Sequence, residues 1–72
     1  MPDLPALKPR EVISALERAG FYRIRQKGSH IQLRKGHLLV TVPFHGVDLS
    51  PGTLRSILRQ ARMSPEDLRR FL

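Results

Sequence analysis

Three short runs of alternating polar and apolar residues, divided by glycine-bearing pairs, most constrain what this 72-residue chain can fold into. The runs are residues 21–26, 29–35 and 38–43, and Lys27-Gly28 and Lys35-Gly36 separate them. Alternation sends successive side chains to opposite faces of a strand. A two-residue separator with glycine suits a tight hairpin turn. The expectation is therefore a three-stranded antiparallel sheet, one face packed on a core and the other solvated.

Helical signals flank the three runs. Residues 9–19 begin with Pro9, carry Glu11 in the first turn and stop at Gly20, while Val12, Ile13, Leu16 and Ala19 recur at helical spacing. After His45-Gly46 the period changes again. Ser50 is a suitable N-cap before Pro51, and Leu54, Ile57, Leu58 and Ala61 form an apolar stripe. Ser64-Pro65-Glu66-Asp67 repeats the start signal for a short terminal helix containing Leu68. The order reads α-β-β-β-α plus a small added helix: an α+β fold in one domain over residues 1–72, with helices on one sheet face.

Two-residue loops set a register. Gln26 then faces Ser29, Arg25 faces His30 and Tyr22 faces Leu33; in the second hairpin Ile31 faces Val40 and His30 faces Thr41. Tyr22, Ile24, Ile31, Leu33, Leu38, Val40 and Val42 fall on the core face. Arg23, Arg25, His30, Gln32, Arg34, His37, Leu39 and Thr41 fall on the other. A slip of one residue would exchange the two sets.

Charge narrows the function. Thirteen Lys and Arg, most of them arginine, oppose six Asp and Glu, for a net charge of +7. Such a balance attracts polyanions, and arginine suits bidentate contact with phosphate. The chain has no cysteine, so disulfides and thiolate chemistry are excluded. No apolar run approaches the roughly 20 residues of a membrane span. The N-terminal Met-Pro-Asp-Leu-Pro lacks the cationic and apolar regions of a signal peptide, which points to the cytoplasm.

His30 is the residue most suited to chemistry. Its neighbours Ile31 and Leu33 fill the core, leaving it on the cationic face, and imidazole exchanges protons near neutral pH. With RNA held by arginines, such a base could serve a 2′-hydroxyl attacking the adjacent phosphorus, a route that needs no metal and that DNA lacks. Arg23, Arg25, Lys27, Gly28, Ser29, Gln32, Arg34 and His45 are the accompanying candidates for RNA contact. Several have plainer readings: Gly28 and Ser29 as turn residues, His45 and His37 as solvated side chains. Arg55, Arg59 and Arg62 share a helix face that is either solvated or a second phosphate surface. Three histidines without ligand spacing make no zinc site.

At these residues the chain resembles the HicA toxin family, small bacterial mRNA interferases of toxin–antitoxin pairs. The resemblance runs from Lys8 to Leu68. It rests on Ala19-Gly20-Phe21 followed by residues 25–30 (Arg-Gln-Lys-Gly-Ser-His), on residues 40–45 (Val-Thr-Val-Pro-Phe-His), and on residues 51–61. It implies a double-stranded-RNA-binding-like fold, His30 as the catalytic residue of a metal-independent endoribonuclease acting on mRNA, and a HicB-like antitoxin as partner. Two departures stand out. Ile31 occupies the place where many members carry a second histidine, and the loop between the second and third runs is very short. The competing readings are an RNA-binding module of the same fold that does not cleave, and a protein-interaction domain with no RNA role.

Overall fold

A computed structural model describes residues 4–72 of the chain. Met1, Pro2 and Asp3, part of the stretch read above for a leader and of the single-domain expectation, lie outside the described residues. The elements follow the expected order: α1 (Pro9–Arg18), β1 (Tyr22–Lys27), β2 (His30–Lys35), β3 (Leu38–Pro43), α2 (Pro51–Ala61) and α3 (Pro65–Arg70). The three strands form one antiparallel sheet with β2 in the centre.

Local chemistry explains the helix limits. Pro9 and Pro51 each open a helix, where a missing N–H costs nothing. The Glu11 carboxylate accepts the Lys8 backbone N–H at 2.9 Å, and the Ser50 hydroxyl accepts the Thr53 N–H at 3.2 Å. Gly20 ends α1 with φ of +107°. Lys35 reinforces that end, because its ammonium donates to the Ala19 carbonyl at 2.7 Å.

The core joins both long helices to the sheet. Val12, Ile13 and Leu16 of α1 meet Leu54, Ile57, Leu58 and Ala61 of α2 over Ile31, Leu33, Val40 and Val42 of the strands. Burying one such aliphatic side chain is worth about 1.5–3 kcal/mol, so these positions dominate the stability of a chain this short. The segment before α1 is tied to the loop before α2 by the Leu49 N–H, which donates to the Leu7 carbonyl at 2.8 Å.

Two features of the sheet differ from the expected register. Both turns lie one residue further on, at Gly28-Ser29 and Gly36-His37. In each the glycine comes first and takes φ near +60° (59° and 60°), while its successor keeps negative φ. That is the glycine placement of a type II′ hairpin turn. Lys27 therefore faces His30, where Arg25 was expected; Ile31 faces Val42, and His30 faces Pro43. A two-residue shift of partners leaves the faces unchanged, so the expected sides of β2 and β3 hold.

The second difference does change faces. The ladder runs Arg25↔Gln32 and then Arg23↔Leu33, leaving Ile24 as an extra, bulged residue. A bulge re-aims the residues beyond it. Arg23 thus leaves the polar face and stands on the helix side, its guanidinium 3.7 Å from the Glu17 carboxylate of α1. Tyr22 takes the opposite course. It pairs with Arg34 and is 54% exposed, while Ile24 is 39% exposed, so neither belongs to the core face as expected. The buried strand side chains come from β2 and β3.

Candidate nucleic-acid interface

Directly opposed residues of an antiparallel ladder share a face. The face away from the helices consequently carries three rows. Lys27, His30 and Pro43 form the row next to the first turn; Arg25, Gln32 and Thr41 form the next; Tyr22, Arg34 and Leu39 form the third. Lys27, Arg25, His30 and Arg34 are exposed, whereas Gln32, Thr41 and Pro43 are partly covered. No acidic residue occurs between Glu17 and Asp48, so all three strands are free of opposing charge.

His30 stands at the first position of the central strand, between Lys27 and Pro43. Among the described residues no hydrogen bond or ion pair engages its imidazole, which is open to solvent and to a ligand. Its position is held by its neighbours in the chain. Ile31 is buried at 2% exposure, Ser29 accepts the Phe44 backbone N–H, and Gly28 provides the positive-φ turn. Gln26 steadies the same turn, its amide donating to the Gly28 carbonyl at 3.1 Å.

The Phe44–Ser29 bond also brings the loop after β3 beside the first turn. His45 lies there, exposed, on a shallow groove lined with Lys8, Arg10 and Phe44. Lys8 anchors the loop through the Gly46 carbonyl at 3.3 Å and the Asp48 carboxylate at 3.7 Å. One end of the sheet thus gathers Lys27, Gly28, Ser29 and His30, with the His45 loop adjoining. Arg25, Gln32 and Arg34 continue along the same face. His37 lies in the other turn, at the far end of β2. Arg55 and Arg59 belong to α2, on the helix side, and Arg62 caps that helix in the left-handed conformation.

Of the residues named from the sequence, Arg23 is the one whose side chain leaves this face. Tyr22 is the residue that joins it unforeseen, since nothing in the run 22–26 marks Ile24 as a bulge. Among the described residues no group of three or more His, Cys, Asp or Glu side chains is gathered to hold a metal ion. Nor is any described helix long and apolar enough to cross a membrane.

The chain matches the sequence model of the family described as HicA toxin of bacterial toxin–antitoxin over residues 9–63. That span is more than half of the chain; it includes all three strands and both long helices and stops short of α3. No curated protein matches the chain.

Proposed function

The chain belongs to the HicA toxin family, and we propose that it acts as an mRNA-cleaving toxin, a metal-independent endoribonuclease with His30 as its catalytic base. The observation that carries this reading is the exposed, acid-free sheet face on which Lys27 stands opposite His30. The His30 imidazole takes the proton of a ribose 2′-hydroxyl. The resulting oxygen attacks the adjacent phosphorus, the bond to the 5′-oxygen breaks, and that oxygen takes a proton from water while the imidazolium returns its own to solvent. The products are a 2′,3′-cyclic phosphate and a 5′-hydroxyl end. A positioned base contributes about 10²–10⁴-fold to such a step. Lys27 and Arg25 hold the scissile phosphate and offset the charge that builds on it in the transition state. Arg34, Gln32, Ser29, Gly28 and His45 extend the contact with RNA. DNA lacks the attacking hydroxyl and is bound without being cut.

Message is reached in the cytoplasm, and a HicB-like antitoxin is the partner that would silence the toxin by covering this face. A second reading, an RNA-binding module without cleavage, is favoured by one observation: no side chain among the described residues orients the His30 imidazole. Inducible expression separates the two. Growth arrest by the wild type and not by His30→Ala supports the catalytic reading; equal arrest by both supports binding alone.

A further inference from the structure

The bulge at Ile24 has an effect that cleavage at His30 does not require. It exchanges Arg23 for Tyr22 on the cationic face, so the row furthest from His30 reads Tyr22, Arg34, Leu39. Tyr22 and Leu39 are 54% and 43% exposed there, with Arg34 between them. Along β2, Arg34 lies four residues from His30, about 13 Å at the usual rise of a strand. An aromatic ring beside a guanidinium, on an acid-free face, matches what single-stranded RNA recognition uses: a ring for the base and a cation for its phosphate. Directly opposed side chains start about 5 Å apart, close enough for both to contact one nucleotide. The same density of positive charge would repel a basic protein and gives an uncharged peptide little to pair with.

Resting on the reading of this face as an RNA-cleaving surface, we propose that Tyr22 is a base-stacking platform for a nucleotide a short distance from the scissile bond. Arg34 holds the phosphate of that nucleotide. The strand then lies across the sheet from the His30 row to the Tyr22 row. Tyr22 selects single-stranded over paired RNA, because only an unpaired base is free to stack on it.

The composition supplies the probe. The chain has one tyrosine and no tryptophan, so its intrinsic ultraviolet emission comes from Tyr22. A fluorescently labelled 2′-O-methyl oligoribonucleotide, which has no free 2′-hydroxyl to react, is titrated with the full chain. Anisotropy reads binding, and a parallel titration with unlabelled oligonucleotide reads tyrosine emission. The expected result is quenching that follows occupancy, binding about tenfold weaker in Tyr22→Ala, and near wild-type binding in Tyr22→Phe, which keeps the ring. Normal binding with unchanged emission, and full affinity in Tyr22→Ala, overturns the platform while leaving RNA binding intact; the exposed pair Tyr22 and Leu39 would then be a protein contact. Equal weakening in Tyr22→Phe and Tyr22→Ala also overturns it, since the hydroxyl and not the ring would be responsible. Absence of binding by the wild type defeats the RNA reading itself, and the platform with it.

Discussion

Lys27 stands directly across the β1–β2 ladder from His30, with only Gly28 and Ser29 between them in the chain. The tight turn therefore sets a lysine on the same face as the imidazole without help from any distant element. If that ammonium holds the scissile phosphate, Lys27→Ala weakens RNA binding and lowers the slope of log affinity against log salt by about one. Binding of a 2′-O-methyl oligonucleotide at several salt concentrations checks this. An unchanged slope would remove Lys27 from the phosphate contacts.

The glycine of the first turn, Gly28, and the glycine that ends α1, Gly20, should respond differently to alanine. At Gly28 an added Cβ meets nothing within 4 Å, but φ is +59°. Gly28→Ala then costs the strain of that positive φ alone, about 1–3 kcal/mol. Gly20 has φ of +107°, and its added Cβ would sit 3.1 Å from the Lys35 side chain that caps α1. Gly20→Ala is expected to be the more destabilising of the two in chemical denaturation, and the reverse order would contradict this account of the α1 stop.

The edge of the sheet depends on one amide. Gln60 of α2 accepts the Thr41 backbone N–H at 2.9 Å, and its own NH₂ donates to the Ser56 hydroxyl at 3.2 Å. Gln60→Ala leaves a partly buried donor without its partner and should cost about 1–3 kcal/mol. Faster hydrogen exchange at the Thr41 amide would locate the loss.

Much of this architecture was legible in the sequence, and the exceptions have physical causes. The helices could be read because Val12, Ile13 and Leu16, and likewise Leu54, Ile57, Leu58 and Ala61, repeat at helical spacing behind clear start signals. The faces of β2 and β3 survived a wrong turn position because moving partners by two residues preserves parity. The position itself was misread because a Lys-Gly pair resembles a turn with glycine second, whereas both hairpins place glycine first. The faces of Tyr22 and Arg23 could not be read at all. Arg23-Ile24-Arg25 alternates cleanly, and the bulge appears only in the pairing with β2. His30 itself was legible, since its exposure follows from the burial of Ile31 and Leu33.

The third helix carries a pH dependence of known sign. The Ser64 backbone N–H donates to the Asp67 carboxylate at 3.0 Å, and the Ser64 hydroxyl accepts the Asp67 N–H at 3.0 Å. The Ser64 backbone N–H and then the Ser64 side chain, with Arg70 nearby, hold the Asp67 carboxyl below its ordinary value of 3.8. A depressed folded value means that the stabilisation is present above the unfolded value and is lost as pH falls through the folded one. Asp67 should titrate below 3.8 by carboxyl NMR, and Asp67→Asn should lose that part of the acid sensitivity. A midpoint at or above 3.8 would contradict the capping geometry.

The most direct test is cleavage itself. Purified wild-type chain and His30→Ala are incubated with single-stranded RNA in EDTA, and the ends of the products are identified. The account predicts fragments with 5′-hydroxyl and 2′,3′-cyclic phosphate ends from the wild type alone, and none from DNA of the same sequence. No cleavage by the wild type, or equal cleavage by His30→Ala, would contradict it.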